Sequence, residues 1–299
     1  MPTRLLANFD AEVSWSGGQL SSKATARLGA LAPLLSALMP QGTDRGLEIW
    51  APAAIDAACV RWDAIGPRAA LRVGTPDTWD LAWADPSAKA ANDRRVTVAV
   101  QRALGVEHAH VITDITALDE LRGPWVAKAP WTAAGRDRIH GDGPPRPDQR
   151  TYAERLLARN GALIVEPWLD RRFDLGVCAR LERGRVIAEA PHTLVCDARG
   201  AFSGIDLAAP PLTPPQRAQL DGAVDACGRA LTDLGYEGPF TVDAFVWGSG
   251  ELHAPCEINA RYSFGHVARA LGGSRLGFGP PPAGTSVLVD SPVLTSWRA

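Results

Sequence analysis

Short apolar runs alternate with amphipathic segments along this chain, a pattern typical of α/β proteins. The apolar stretch RLLANF is followed by SSKATARLGALAPLLSALM, in which apolar residues recur at helical spacing behind a serine. Two further short apolar stretches follow, LEIWAP and AALRVG. Because strands that alternate with helices usually build a layered α/β unit, residues 1–84 are predicted to form a small α/β domain.

The next part of the chain continues this alternation. DPSAKAANDRRVTVAVQRALGV is predicted to be a helix that ends at Gly105, and ITALDELR is predicted to be a second helix. WVAKAP and ALIVEPWL are predicted strands, and between them lie the loop WTAAGRDRIHGDGPPRPDQ and the helix TYAERLLARNG. The loop is polar and rich in glycine, proline and arginine, so it is expected to be mobile.

Antiparallel strands and one long helix are predicted after residue 170. FDLGVCARLERGRVIAEAPHTLVCD alternates like paired strands with a turn at Arg183 and Gly184, and TPPQRAQLDGAVDACGRALTDLG is typical of a helix that begins with proline. FTVDAFVW and LHAPCEINA, joined by GSGE, form a predicted hairpin. The segment 276–299 is rich in proline and glycine and is expected to wrap around the protein or to trail from it.

Composition narrows the possible partners. With 31 Lys and Arg against 33 Asp and Glu, and no basic stripe, the chain offers no electrostatic case for nucleic acid or a membrane as its main partner. Its 5 cysteines lie far apart without a C-x-x-C pair, which argues against a disulfide framework or a zinc site and is typical of a reducing cytosol. Asp10 and Glu12 interrupt any signal peptide, and no run of about 18 uncharged apolar residues occurs. We therefore expect a cytoplasmic protein that binds small molecules.

The predicted hairpin contains the clearest candidates for a functional site. In PCEINARYSFGH, Glu257, Asn259 and Arg261 occupy alternate positions and therefore share one face of a strand. Asp243 on the preceding strand is expected nearly opposite Glu257. Carboxylate and amide oxygens suit Mg²⁺ when water and phosphate complete its coordination. The same spacing also fits a solvated strand face, and a bulge in the turn could spoil or rescue the alignment of Asp243.

Two charged residues stand in apolar strands before and after the polar loop. Lys128 in WVAKAP fits either a surface lysine or a point charge that holds phosphates. Glu166 in LIVEPWL fits either an exposed turn acid or an acceptor for an adenine amino group, with the backbone at Trp168 and Leu169 against the ring edge. Asp174 is open between a ribose-hydroxyl acceptor and a turn residue.

The loop sequence TAAGRDR could close over phosphates through the backbone N–H groups of residues 133–136. It contains one glycine, Gly135, and lacks the GxxxxGK[ST] pattern of a Walker-type loop. Arginine forks suit carboxylates, although each such residue taken alone more often has a surface or structural role. On this basis the candidates for an acceptor side are Arg136, Arg138, Arg171, Arg180 and His266.

Taken in order, these elements resemble the ATP-grasp superfamily over about residues 85–275. That superfamily combines a helix with a D-K or D-R pair, a strand lysine, a small loop, a strand that ends in E-x-x-L, and a late strand with E-x-N after an aspartate. The matching residues here are Asp93-Arg94, Lys128, the loop TAAGRDR, Glu166 to Leu169, Asp243, and Glu257-Ile258-Asn259. Several matches in the correct order are far more specific than any one of them.

The resemblance implies an α/β (α+β) ATP-grasp fold with an N-terminal pre-grasp domain. It implies a pre-grasp α/β domain at 1–84, an ATP-grasp domain at 85–275 whose two subdomains meet near residue 165, and a Pro/Gly-rich tail at 276–299. It also implies contacts from Arg94, Lys128, Ala134, Gly135 and Arg136 to ATP phosphates, from Glu166, Trp168 and Leu169 to adenine, from Asp174 to ribose, and from Asp243, Glu257 and Asn259 to Mg²⁺, with Mn²⁺ as an alternative.

The activity that the resemblance implies is an ATP-dependent ligase. It would activate a carboxylate as an acyl phosphate and transfer it to an amine, with Lys128 and Arg261 as catalytic cations. Because E-x-N-x-R is similar to the pattern of the carboxylase and purine-synthesis branches, a carboxylating or phosphotransfer enzyme is an alternative, and a non-catalytic nucleotide-binding protein is a further one. The implied partners are a small-molecule carboxylate and an amine, and a homodimer is an option because dimers are frequent in the superfamily.

Three features depart from the superfamily pattern. Arg94 stands where lysine is common, which keeps the charge but changes the reach of the side chain. The loop is poor in glycine, which restricts the backbone conformations through which it could close over phosphates. The first 84 residues match the superfamily only in that an α/β domain commonly precedes the ATP-grasp domain.

Overall fold

Three β-sheets organise the protein in a computed structural model, which describes residues 2–40, 46–106, 108–132, 137–196 and 201–299. We call them the N-terminal sheet, the small sheet and the large sheet. The N-terminal sheet contains β1 Thr3–Leu6, β2 Leu47–Ala51, β3 Ala69–Val73 and β4 Leu81–Ala82. The small sheet contains β5 His110–Ile112, β6 Pro124–Lys128, β7 Arg138–Asp142 and β8 Leu163–Pro167. The large sheet contains β9 Arg171–Glu182, β10 Arg185–Ala188, β11 His192–Cys196, β12 Phe202–Asp206, β13 Gly238–Trp247, β14 Glu251–Asn259, β15 Arg275–Phe278, β16 Ser286–Ser291 and β17 Leu294–Arg298.

The helices vary from one turn to more than five. They are α1 Ala11–Trp15, α2 Ser22–Leu31, α3 Trp62–Ile65, α4 Arg94–Ala103, α5 Pro147–Asn160, α6 Pro214–Asp233 and α7 Phe264–Leu271. Short 3-10 helices lie at Ala32–Leu38, Ala57–Cys59, Pro86–Lys89 and Ile115–Glu120. Among the helices in the described ranges, none combines the length and the apolar character that crossing a membrane requires.

The N-terminal sheet is parallel, with strand order β3-β2-β1-β4. The three strands predicted in this region are confirmed. The predicted helix after β1 is shorter than expected, because α2 ends at Leu31 and a 3-10 helix continues from Ala32. Pro33 explains the change, since it has no N–H to donate to the preceding helical turn. Buried residues of the sheet pack with Val267 and Leu271 of α7, so this region shares a core with the end of the chain.

The small sheet is antiparallel, with strand order β5-β8-β6-β7. One prediction in this region is wrong, and a second is confirmed in a different helical form. Part of the loop predicted at 131–149 is not a loop, because Arg138–Asp142 form β7, which pairs with β6 along its whole length. ITALDELR forms a 3-10 helix rather than an α-helix. This 3-10 helix spans Ile115–Glu120, and Asp114 caps its first turn by accepting from the N–H of Thr116.

The large sheet has nine strands in the order β14-β13-β9-β11-β12-β15-β17-β16, with β10 paired to the second half of β9. The predicted hairpin β13–β14 and the predicted proline-initiated helix α6 are confirmed. The segment from residue 276, expected to wrap or trail, instead joins this sheet through β15, β16 and β17. Buried Leu288 and Val289 explain why, because they pack into the core shared with the N-terminal sheet.

Helix α4 covers the outer edge of β14, which would otherwise expose unpaired backbone groups. The backbone N–H groups of Ile258 and Ala260 donate to Thr97 Oγ1 at 3.2 Å and to Asn92 Oδ1 at 2.9 Å. Gln101 Nε2 donates to the carbonyl of Pro255 at 2.8 Å. Buried polar side chains therefore complete the hydrogen bonding of an edge strand. The longer helix predicted from residue 85 is wrong, because α4 begins only at Arg94, after the cap residue Asp93.

Two glycines of α6 provide a test of how closely this helix packs on the large sheet. A Cβ at Gly228 would lie 2.1 Å from Val186 Cγ2 on β10, whereas a Cβ at Gly222 meets nothing within 4 Å. Valine is stiff at χ1, so Gly228→Ala is expected to lower the free energy of unfolding by about 1–3 kcal/mol. Gly222→Ala is expected to raise it by about 0.5–1 kcal/mol. Urea denaturation measures both, and equal effects of the two substitutions would contradict the close packing of α6 on β10.

Candidate functional site

Charged side chains gather where the hairpin β13–β14 meets the small sheet and the start of α4. Asp243 and Glu257 are direct cross-strand partners, as expected from the spacing. The bulge in this hairpin lies between Asp243 and Phe245, so it leaves the pair in register. Burial and then the negative charge of Glu257 raise the pKa of Asp243 to about 7. Asn259 Nδ2 donates to Asp243 Oδ2 at 3.0 Å. The three residues predicted as metal ligands thus share one face of the hairpin.

Arg94 is the first residue of α4 and links that helix to the hairpin. One of its terminal nitrogens donates to Glu257 Oε1 at 2.5 Å and to the carbonyl of Thr132 at 3.0 Å. The other donates to the carbonyl of Ala129 at 3.4 Å, just beyond the end of β6. Its side chain is 11% exposed. The residue predicted to hold phosphate therefore lies beside a predicted metal ligand and next to the loop.

Lys128 and Glu166 form a buried ion pair across β6 and β8. Lys128 Nζ lies 2.7 Å from Glu166 Oε2, and the two side chains are 14% and 9% exposed. Burial alone would raise the pKa of Glu166, but the charge of Lys128 and its hydrogen bond outweigh burial and hold that pKa below its usual value. Glu166 is therefore charged, and its predicted contact with adenine stays a prediction.

The other residues predicted to contact the nucleoside follow β8 or begin β9. Trp168 is 42% exposed and packs edge-on against His140, with 4.4 Å between ring centroids, while Leu169 is half-buried. Arg171 donates to Asp174 Oδ1 at 2.7 Å. Asp174 is close enough to contribute to the raised pKa of Asp243, so it faces the same site. Arg171 thus lies beside the residue predicted to contact ribose. The roles of these residues stay predictions.

Three of the predicted phosphate-binding residues, Ala134, Gly135 and Arg136, lie outside the described residues. The described chain on either side ends at Thr132 and resumes at Asp137.

Arg261 connects the hairpin to the N-terminal part of the protein. Its Nε donates to Glu12 of α1, and its terminal nitrogens donate to Asn259 Oδ1 at 2.8 Å and to the carbonyl of Tyr262 at 3.1 Å. Glu12 is only 4% exposed. Sequence reasoning missed Glu12 because a lone acid in a short helix carries no pattern, and its partner lies 249 residues away. A buried arginine beside a predicted metal site is the signal that could have prompted a search for its counter-ion.

Three other acceptor-side candidates from the sequence are His266, Arg138 and Arg180. His266 caps α7 by accepting from the N–H of Ser263 at 3.1 Å, and burial lowers its pKa to about 4, so it has a structural role. Arg138 pairs with Lys128 across β6 and β7. Arg180 lines the same cavity as Arg261, and its place on the acceptor side stays a prediction.

Comparisons with known proteins give different results for the sequence and for the structure. No protein-family model and no curated protein matches the sequence. The structure, in contrast, is similar to N5-carboxyaminoimidazole ribonucleotide synthetase from Thermus thermophilus, with a TM-score of 0.57 over 100% of this chain and 94% of that one, at 14% identity. It is also similar to the biotin carboxylase domain of Hydrogenobacter thermophilus 2-oxoglutarate carboxylase, with a TM-score of 0.60 over 99% and 85% of the two chains, at 11% identity. Both are ATP-grasp proteins. The chain has the ATP-grasp fold.

The predicted ATP-grasp fold and α/β class are therefore confirmed. Biotin carboxylase from Campylobacter jejuni is a third similar structure, with a TM-score of 0.58 and 14% identity over 88% of this chain. The chain spans 66% of that protein and 59% of D-alanyl-alanine synthetase A from Vibrio cholerae. The charged residues described above thus lie in a chain with the ATP-grasp fold.

The ion pair of Lys128 and Glu166 leads to a stability prediction for the ATP-grasp fold. Lys128→Met would leave Glu166 buried without its counter-ion, so the free energy of unfolding is expected to fall by about 3–5 kcal/mol. Adding Glu166→Gln should restore most of this loss, because no unpaired charge then remains. Urea denaturation of both single variants and of the double variant measures the coupling.

A matched control is Arg217→Met, which removes a cation from the exposed pair with Asp221 at 2.9 Å. Its effect is expected to stay below about 1 kcal/mol. If Lys128→Met lowered the free energy of unfolding no more than this control does, the buried pair would contribute no more to stability than an exposed one.

Proposed function

We propose that the protein is an ATP-dependent ligase that activates a carboxylate as an acyl phosphate and transfers it to an amine. One observation carries the proposal: Lys128, Arg94 and Arg261 are held by acids at one site, around the facing carboxylates Asp243 and Glu257. Paired cations and carboxylates suit a reaction that moves a phosphoryl group, because its transition state spreads negative charge over several oxygens.

Similar structures support nucleotide binding. The Hydrogenobacter thermophilus domain is described in complex with MgADP, ADP and bicarbonate, and the Campylobacter jejuni enzyme in a complex with an ATP compound. We extend ATP and Mg²⁺ to this chain because it shares the fold of these proteins and has cations and carboxylates near the hairpin β13–β14. Lys128 and Arg94 would contact phosphates, Glu166, Trp168 and Leu169 adenine, and Asp174 ribose.

In the proposed reaction a carboxylate oxygen attacks the γ-phosphorus, and the bond from that phosphorus to the bridging oxygen of ADP breaks. The amine nitrogen then attacks the carbonyl carbon, inorganic phosphate leaves, and the amine loses a proton. Lys128 and Arg261 would neutralise the charge that develops on the transferred group. No nucleophilic side chain is required, so positioning and charge balance are the main contributions of the protein.

The proposed metal ligands are Asp243, Glu257 and Asn259. Burial and then the charge of Glu257 raise the pKa of Asp243, and a divalent cation held by this set would favour the charged form of the carboxylate. In the described part of the chain, no three His, Cys, Asp or Glu side chains form a group that could hold a metal. An oxygen-rich set completed by water and phosphate suits Mg²⁺, with Mn²⁺ as the alternative. Such an ion would supply Lewis-acid stabilisation of phosphate oxygens.

A second candidate function is a carboxylating or phosphotransfer reaction. It is favoured by the similarity to biotin carboxylases and to a carboxyaminoimidazole ribonucleotide synthetase, together with Arg261 two residues after Asn259. In carboxylation, bicarbonate would take the place of the carboxylate and accept the γ-phosphoryl group, and its carboxyl group would then pass to an acceptor as inorganic phosphate leaves. In phosphotransfer, the acceptor would keep the phosphoryl group and ADP would leave.

We further propose that the partners are small molecules and that the protein acts in the cytoplasm. The formal net charge of −2 supports neither nucleic acid nor a membrane surface as a partner. The Hydrogenobacter thermophilus domain is described as a dimer, and a homodimer stays a prediction for this chain.

Phosphate release from ATP tests the proposal. The protein is incubated with Mg²⁺ and ATP and with pools of carboxylates, amines, both together, or bicarbonate. Release that requires both an acid and an amine is expected. Release with bicarbonate alone would favour carboxylation, and ATP binding without any turnover across the pools would favour a non-catalytic nucleotide-binding protein.

Substitution of Glu257 tests the metal assignment. Glu257→Gln removes one charge of the facing carboxylate pair, so metal-dependent turnover is expected to fall by about 100-fold or more while the fold is kept. Glu251→Gln on the same hairpin is the control, because Glu251 is exposed near the turn. Turnover measured against Mg²⁺ concentration should change only in the first variant, and unchanged turnover of Glu257→Gln would remove this residue from the site.

Glu12 tests whether the N-terminal region positions Arg261. Glu12→Gln keeps the shape but loses the charge that holds Arg261, so kcat is expected to fall about tenfold with little change in KM for ATP. Glu48→Gln is the matched control, since Glu48 pairs with Arg4 and Arg72 elsewhere in the N-terminal sheet. Equal kcat values for the two variants would contradict a positioning role for Glu12.

A further inference from the structure

A cavity of about 450 Å³ opens beside Arg261, between the N-terminal sheet and the large sheet. One wall is formed by residues of the segment 79–85, which includes β4. The other is formed by Arg180 of β9, by residues at the start of β13 and by Arg261 and Tyr262 after β14. This volume lies within the range of about 300–1,000 Å³ that is typical of small-molecule sites. Among the described residues, Arg261 is shared between this cavity and the set predicted to bind ATP, metal or transferred phosphate.

Four aromatic rings line the cavity: Trp79, Trp83, Tyr236 and Tyr262. Trp79, Tyr236 and Tyr262 are half-buried, whereas Trp83 is 3% exposed. Flat apolar walls favour a flat apolar ligand body, since stacking adds to area burial. The faces of such rings also attract cations. The lining therefore favours a ligand with an aromatic body and a positive group.

Internal contacts fix these walls. The ring of Trp83 packs against Phe9 and Phe264, with centroid distances of 4.6 and 5.0 Å. The N–H of Tyr262 donates to the carbonyl of Trp83 at 2.9 Å, and the hydroxyl of Tyr236 donates to the carbonyl of Pro239. A ligand would thus enter a cavity whose shape is already set, which lowers the entropic cost of binding.

Charges of both signs surround the rings. Arg180 and Arg261 contribute two guanidinium groups, and Asp80, Asp85 and Glu237 contribute three carboxylates. Each carboxylate also accepts a hydrogen bond from a backbone N–H, which orients it without removing its charge. A ligand that carries both a carboxylate and an ammonium group matches this distribution better than one that carries a single charge.

Arg261 still has hydrogen-bond donors for such a ligand. A guanidinium has five N–H groups, and three of them contact Glu12, Asn259 and Tyr262. Two remain, which is the number that a carboxylate accepts from a bidentate arginine. Because the same guanidinium contacts Asn259, a carboxylate bound to it would lie next to the proposed metal site.

We propose that this cavity binds the carboxylate substrate and that this substrate is a zwitterion with an aromatic body, of the class of aromatic amino acids or small peptides that contain one. The inference rests on the proposed ligase function and specifies its substrate. The carboxylate contacts Arg261, the aromatic body packs between the rings, and the ammonium group is bound by the carboxylates and the ring faces. Bicarbonate would leave most of the cavity unfilled.

Calorimetric titration of the full chain without nucleotide tests the ligand class. The probes are L-phenylalanine, 3-phenylpropanoate, which lacks the ammonium group, phenethylamine, which lacks the carboxylate, and L-leucine, which lacks the ring. L-phenylalanine is expected to bind about tenfold or more tightly than each of the other three, since each has lost one of the matched groups. Equal binding of L-leucine or of 3-phenylpropanoate would overturn the assignment.

Variants locate the binding. Trp79→Ala and Arg180→Ala are each expected to weaken binding of L-phenylalanine about tenfold. Their matched controls are Trp50→Ala on β2 and Arg172→Ala on β9, neither of which lines the cavity. If the control substitutions weakened binding as much as Trp79→Ala and Arg180→Ala do, the ligand would bind outside this cavity.

The outcome is separable from that of the proposed function. Acid-dependent ATP turnover together with no binding of L-phenylalanine would overturn the cavity assignment and leave the ligase in place. Binding that depends on Trp79 and Arg180, without any ATP turnover, would support the cavity and overturn the ligase.

Discussion

Two carboxylates that face each other on neighbouring strands are the constraint on which the rest of this structure depends. Asp243 and Glu257 are paired across β13 and β14, and like charges so placed destabilise a hairpin unless cations balance them. Arg94 arrives from α4 and Arg261 from the segment after β14. The positions of these two arginines require α4 and the N-terminal region, through Glu12, to pack against the hairpin.

The same contacts that complete the fold also position the site. Asn92, Thr97 and Gln101 satisfy the outer backbone groups of β14, which brings the first residue of α4 beside Glu257. An edge strand left open would be both a site of aggregation and a poor support for charged groups. In this protein, the same helix protects the edge of β14 and positions Arg94. A substitution that weakens the contact of α4 with β14 would therefore also displace Arg94.

Sequence patterns predicted the features that depend on near neighbours. Strand alternation placed Glu257 and Asn259 on one face, and the short turn aligned them with Asp243. The order of five short motifs then indicated the ATP-grasp fold. Contacts between distant parts of the chain were not predictable in this way. Glu12 pairs with Arg261, 249 residues later in the sequence, and β15 to β17 lie before and after a proline- and glycine-rich stretch that favoured a tail. The strand β7 was missed because its polar residues pair through the backbone, which leaves no apolar pattern.

Arginine at position 94, where ATP-grasp proteins commonly have lysine, has a physical explanation in these contacts. Arg94 donates to two backbone carbonyls and to Glu257, which uses three of its five N–H groups. A lysine has three donors in total and would be exhausted by the same partners. In Arg94, by contrast, the Nε–H and one terminal N–H remain for another acceptor, such as a phosphate oxygen. The substitution thus combines a structural tie between α4, β6 and β14 with the phosphate contact proposed for this position, and it does so because a guanidinium can serve several acceptors at once.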